Sequence, residues 1–191
     1  MRRIGILGGS FDPVHNGHLR IAKSFLDSHL IEKLLIIPAP SPPHKNDLRA
    51  SFCHRIEMLK LAFQDWDGVE VSDLEEKLSA PSYSIQTIEY LQREHPNTLF
   101  YLCLGEDSLI HFHTWFRYKD IVERVTLLVA ERPHFDSSII DKELLEKTIF
   151  VDHKPINLSS TEIRKSKDDQ NGTKSIPESV QEYMHTYKLY V

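Results

Sequence analysis

The chain has 191 residues, 40% hydrophobic and 27% charged, an ordinary globular composition with enough length for one domain and a sizeable core. Its 23 basic residues against 28 acidic ones give a net charge of −5, which excludes a globally basic nucleic-acid binder but not a local basic pocket. The N-terminal apolar run is too short for a signal-peptide core and no later run could span a bilayer. Cys53 and Cys103 lack metal-like spacing and lie in apolar-patterned segments, so a cytoplasmic protein with reduced core thiols is expected.

Residues 3–7 (RIGIL) read as a buried strand ending at Gly8 and Gly9. From Asn16 to Leu30 the apolar period lengthens. Leu19, Ala22, Leu26 and Leu30 share one face at helical spacing, with Asn16 as the candidate N-cap. Lys33 to Pro38 (KLLIIP) is a second continuous apolar strand, stopped by proline. Strand, helix, strand with fully apolar strands implies a parallel sheet covered on both faces. The loop PAPSPPHKNDLRA leads into a helix near 51–63, VEVSDLEEK (69–77) holds one or two short strands, and 84–94 is a helix. LFYLCLG (99–105), VTLLVAERP (125–133) and IFVD (149–152) are further strands. The polar stretch 166–174 reads as a loop, and the tail opens with Pro177 at the first turn of a short helix. This order predicts a doubly wound, mostly parallel α/β sheet in a single domain over 1–191, with 155–191 as its small helical C-terminal part. Such sheets bind ligands beyond the carboxyl ends of their strands, where Gly8, Gly105 and Arg132 fall.

The stretch GGSFDPVHNGH (8–18) concentrates chemistry at one such end. It fits neither the dinucleotide fingerprint nor the Walker loop. Gly8 and Gly9 let the backbone approach an anion, and Pro13 stiffens the turn. His15 and His18, three apart at a helix start, can point to one side, with Gly17 keeping that surface low. A helix N-terminus already attracts anions, and two imidazoles add donors there. The plainer alternative is a tight turn with two exposed histidines.

GSFDPVHNGH resembles the H-x-G-H signature of the nucleotidyltransferase superfamily, and LSSTEIR (158–164) resembles its I-S-S-T-x-I-R motif. PPHK (42–45), PSYS (81–84) and GEDSLIHFHTW (105–115) narrow the resemblance to bacterial nicotinate-nucleotide adenylyltransferases, over almost the whole chain. The resemblance implies a Rossmann-like nucleotidyltransferase fold and transfer of the adenylyl group of ATP to nicotinate mononucleotide, giving deamido-NAD and pyrophosphate. Attack is in line, without a covalent enzyme intermediate, by a phosphate already anionic at neutral pH, so positioning and charge stabilisation carry the catalysis.

Position by position, the resemblance implies that His15 and His18 contact the ATP phosphates and stabilise the transition state. Gly8, Gly9, Ser10 and Phe11 form a loop spanning both substrates, and Ser159, Ser160 and Arg164 hold the β- and γ-phosphates. Asp107 is assigned to the ribose of ATP and Arg132 to the adenine side or the phosphates. Trp115 and Tyr83 form the pyridine side, with backbone N–H groups near Ser84 and Phe116 for the nicotinate carboxylate. His44 and Lys45 meet the mononucleotide phosphate. Each has a plainer reading: SSTEIR as a helix cap, Asp107 as a helix N-terminal acid, Arg132 and Lys45 as solvated cations, Trp115 as a core aromatic. Glu106 and Glu131 depart from the family pattern and add acid near the adenine site.

His111 and His113 invite a metal-site reading with Asp107 as third ligand, but the local pattern is helical or loop-like and no H-E-x-x-H occurs. The metal expected is Mg²⁺ carried by ATP, bound through phosphates and water. The alternatives to the adenylyltransferase reading are nicotinamide mononucleotide or phosphopantetheine as acceptor, or a non-catalytic nucleotide-binding regulator. The expected partners are ATP and nicotinate mononucleotide, with no nucleic acid or membrane; a homo-oligomer is left open.

Overall fold

The computed structural model describes residues 1–43, 47–131, 136–156, 158–165 and 175–191. Six strands form one sheet: β1 (Arg2–Gly9), β2 (Lys33–Pro38), β3 (Val69–Val71), β4 (Thr98–Gly105), β5 (Thr126–Glu131) and β6 (Thr148–Asp152). Their order is β3-β2-β1-β4-β5-β6, and every pairing is parallel. The helices are α1 (Asn16–Asp27), α2 (Phe52–Phe63), α3 (Ser84–Glu94), α4 (Glu106–Ile110), α5 (Tyr118–Arg124), α6 (Lys142–Glu146), α7 (Ser160–Lys165) and α8 (Glu178–Thr186). No helix among the described residues is long and apolar enough to cross a membrane.

Strand alternation sends successive side chains to opposite faces, and both faces are covered. Leu35, Ile37, Leu102, Leu104, Leu127 and Val129 pack with α3, α5 and α6 through Ile85, Ile88, Ile121 and Leu144. Leu34, Ile36, Cys103 and Leu128 face the other way, against Phe25 of α1, Met58 and Leu59 of α2 and Val180 of α8. Each fully buried Leu, Ile or Phe side chain contributes about 1.5–3 kcal/mol. This two-sided burial is why the strands read as unbroken apolar runs.

Three details differ from the sequence expectation. The N-cap of α1 is His15, not Asn16, and the helix stops at Asp27 although the apolar spacing continues to Leu30. His29 adopts φ 56, and that left-handed residue ends the helix. The 69–77 stretch, read as one or two short strands, holds one, Val69–Val71, followed by a 3₁₀ turn at Leu74–Lys77. Cys103 is buried but Cys53 is exposed, because α2 buries the stripe of Arg55, Ile56, Met58, Leu59 and Ala62 and position 53 lies off it.

The chain winds out from β1 through β2 to β3, then crosses back to β4 and continues to β5 and β6. The connections after β1 and β4 therefore leave on opposite faces, α1 on one and α4 on the other. A crevice opens between two adjacent strand ends, those of Gly9 and Gly105.

Candidate active site

After Gly9 the chain turns sharply into α1. Phe11 holds φ 46, in the left-handed region, which costs a non-glycine residue about 1–3 kcal/mol. Packing offsets that strain: the Phe11 ring is buried and meets the His18 imidazole edge-on, with centroids 5.0 Å apart. A Cβ on Gly9 would come within 2.9 Å of the Phe11 ring, so that position is confined to glycine.

His15 caps α1 in an extended conformation, with its side chain buried. Burial pushes its imidazole down to about 4, so it is neutral at pH 7. His18 lies one turn on, its ring 3.7 Å from that of His15 and tilted by 31°. The His15 backbone N–H donates to His18 Nδ1 at 3.1 Å. With Nδ1 serving as acceptor, the His18 ring presents its Nε2–H as a donor. Both imidazoles sit at the first turn of α1, the positive end of the helix dipole, where the Asn16 N–H donates to the Ser175 carbonyl at 2.8 Å and the His18 N–H to the His15 carbonyl at 2.8 Å.

Helix α7 is docked onto the same turn. Ser160 Oγ donates to the Pro13 carbonyl at 3.0 Å, and Arg164 Nη1 to the Asp12 carbonyl at 2.6 Å. Ser159 accepts from the Glu162 backbone N–H at 3.1 Å and donates to its carboxylate at 2.9 Å. SSTEIR thus caps its own helix and at the same time brings Arg164 to the glycine-histidine loop, 152 residues away in sequence from Asp12.

Beside this cluster lies a cavity of about 280 Å³. Gly8, Gly9, Ser10 and Gly105 form its strand-end wall, and Tyr83, Ser84, Trp115 and Phe116 the facing one. Tyr83 and Phe116 stack with centroids 4.5 Å apart, tilted by 30°, and Trp115 packs half-buried on Phe112 at 5.0 Å. Ser84 is the first residue of α3, a position whose backbone N–H has no intrahelical acceptor. The aromatic wall and the donor-rich α1 turn therefore share the loop Gly8–Ser10.

Asp107 is the second residue of α4, exposed and outside the cavity lining. His44, Lys45 and Arg132 lie outside the described residues, as does the 166–174 stretch. Among the described residues no three His, Cys, Asp or Glu side chains group as metal ligands, and His111 and His113 point to solvent.

Four residues of the candidate site, Asp12, Tyr190, Arg55 and Glu75, escaped sequence reasoning. Asp12, 1% exposed, accepts from the backbone N–H groups of Arg49 (2.8 Å) and Ala50 (3.0 Å) and from the Tyr190 hydroxyl (2.6 Å). Arg55, equally buried, donates to the carbonyls of Ser10 (2.7 Å) and Ala39 (2.8 Å), joining the loop to the end of β2. Glu75 lines the cavity and accepts from Thr87 Oγ1 at 2.7 Å; burial raises its carboxyl above the ordinary carboxylate range. Arg55 alone left a signal, a cation on the apolar stripe of a helix.

The cytidylyltransferase-like family pattern matches residues 6–166. The chain is 38% identical to a probable nicotinate-nucleotide adenylyltransferase of Thermotoga sp. (strain RQ2), covering 97% of this chain and 96% of that one. It is 36% identical to a protein of the same description from Clostridium tetani, over the full length of both. Among solved structures, the Plasmodium falciparum nicotinic acid mononucleotide adenylyltransferase complexed with NaAD superposes with a TM-score of 0.80 at 25% identity, covering 100% of this chain and 98% of that one. With the two-histidine turn and the docked arginine helix at the strand crossover, the conclusion is direct: this chain belongs to the cytidylyltransferase-like family and, within it, to the nicotinate-nucleotide adenylyltransferases.

Proposed function

We propose that this chain joins ATP to nicotinate mononucleotide, releasing pyrophosphate and forming deamido-NAD, and that residues 1–191 act as one nucleotidyltransferase domain with 155–191 as its helical end. The observation that carries the reading is the shared loop: Gly8–Ser10 borders both the aromatic cavity and the His15/His18 turn. The nicotinate ring stacks in the cavity against Trp115 and Tyr83. Its carboxylate takes backbone N–H groups near Ser84 and Phe116, and donors without acceptors there favour an acid over an amide. Lys45, with His44, meets the mononucleotide phosphate.

The mononucleotide phosphate attacks the α-phosphorus of ATP in line, the new P–O bond forming as the bond to the β-phosphate oxygen breaks. His15, His18 and the positive N-terminal end of the α1 dipole stabilise the charge gathering on the transferred phosphoryl oxygens. Because His15 is neutral and His18 presents Nε2–H, the imidazoles serve as donors, with no proton removed from the nucleophile. Arg164, with Ser159 and Ser160, holds the leaving pyrophosphate. Gly17 keeps the helix surface low enough for the phosphates, Asp107 and Arg132 complete the adenosine side with Gly105, and Mg²⁺ enters as part of MgATP. The setting is the cytoplasm.

The test is pyrophosphate release from MgATP with nicotinate mononucleotide, nicotinamide mononucleotide or phosphopantetheine at equal concentration. Strong preference for the first is expected. Preference for another acceptor would keep the phosphate chemistry and overturn the roles given to Tyr83, Ser84 and Trp115. No release with any acceptor would favour a nucleotide-binding regulator.

A further inference from the structure

The buried Asp12 carboxylate sits beside an arginine without forming a two-pronged pair with it. Arg164 Nη1 lies 3.8 Å from Asp12 Oδ2 and is hydrogen-bonded instead to the Asp12 main-chain oxygen, while Nη2 reaches Thr161 Oγ1 at 3.4 Å. A guanidinium and a carboxylate normally close into parallel N–H···O bonds when both are withdrawn from water. Here the carboxylate is already shared among neutral donors. Oδ2 accepts from the Arg49 N–H; Oδ1 accepts from the Ala50 N–H and from the hydroxyl of Tyr190 at 2.6 Å.

Tyr190 is the only side-chain hydroxyl in that set and comes from the far end of the sequence. It takes φ 62 after α8, with Leu189 N–H tied to the Met184 carbonyl at 2.9 Å, and its ring joins the apolar core on the α1, α2 and α8 face. Burial, with the charge of Asp12, pushes its phenol well above the ordinary range, so it remains a donor at neutral pH.

We infer that Tyr190 is a positioning residue for Arg164: by holding Oδ1 it fixes the orientation of the buried Asp12 carboxylate, keeps Oδ2 from closing onto the Arg164 guanidinium and leaves that guanidinium turned to the phosphates of ATP. This rests on the phosphate-holding role proposed for Arg164. Without the hydroxyl, Asp12 Oδ1 keeps only the Ala50 N–H, and the loosened carboxylate can turn onto the Arg164 guanidinium, whose Nη1 lies 3.8 Å from Oδ2.

The experiment is a double-mutant cycle of Tyr190→Phe and Arg164→Ala, with KM for ATP, KM for nicotinate mononucleotide and kcat measured for all four proteins. Phenylalanine keeps the ring and its packing. The expected result for Tyr190→Phe is a rise in KM for ATP and a fall in kcat, together on the order of tenfold in kcat/KM, with KM for nicotinate mononucleotide within about twofold. In the Arg164→Ala background the same change should cost nothing further, because groups acting through one another are non-additive. Loss from loosened packing alone would add in full, so additivity overturns the inference, as does a Tyr190→Phe protein with unchanged ATP kinetics. Full activity of Arg164→Ala would overturn the phosphate role of Arg164 and this inference with it. An impaired Arg164→Ala with additive Tyr190→Phe would overturn this inference alone.

Discussion

His18 presents Nε2–H because its other ring nitrogen is held by the His15 backbone amide, and His15 stays uncharged because it is buried. Both imidazoles can donate to phosphate oxygens, and the uncharged His15 does so without a charge that burial would penalise. The expected consequence of His18→Ala is a fall in kcat of ~10²–10³, the usual loss for one transition-state donor, with smaller changes in both KM values. Initial-rate measurements check it; an unchanged kcat would take His18 out of the chemistry. Gly17 belongs to the same arrangement, since a Cβ there would lie 2.9 Å from His15 Nδ1 and press on the ring that must stay packed against His18.

Between β4 and β5 the chain makes α4, a single 3₁₀ turn at Phe112–Thr114 and α5. The turn places Trp115 and Phe116 opposite Tyr83 at the start of α3, and Arg117 at φ 55 redirects the chain immediately afterwards. On the proposed function this wall takes the pyridine nucleotide alone, so Trp115→Ala should raise KM for nicotinate mononucleotide more than KM for ATP. Equal changes in both would remove the stacking role. The elements themselves were largely legible in the sequence: buried strands show as unbroken apolar runs, and α1 and α2 as stripes of 3.6 period. The turns were not. The stop of α1 at His29 depends on one residue's φ, and no period announces the 3₁₀ turn after Val71 that buries Glu75 under Thr87. The partners of Asp12 and Arg55 lie 37 to 178 and 16 to 45 residues away, so no local spacing announces them.

For the whole molecule, His15 links folding to pH. Its folded value of about 4 lies below the ordinary 6.5, so between those values the unfolded chain binds the proton more readily. The stabilisation is complete above about pH 6.5 and is lost as pH falls toward 4, by up to about 3 kcal/mol from this one group. Urea unfolding at pH 7 and pH 4.5 should show that loss in the native protein and a smaller one in His15→Gln. Equal losses would mean that His15 is accessible to the proton in the folded state.

Strand β1 comes first in the chain but lies in the middle of the sheet, flanked by β2 and β4, with Arg2 paired to Thr98. Its early hydrogen bonds to β2 can form while synthesis proceeds, but its other edge stays open until the fourth strand is made. Until then an apolar backbone edge is exposed to neighbouring chains, a condition that invites misassociation. Sheets built from such distant pairings also fold slowly, since chain closure must precede the contacts that reward it. The loop proposed to handle phosphate follows directly from β1, so the earliest-made part of the proposed site is among the last to be held in its working shape.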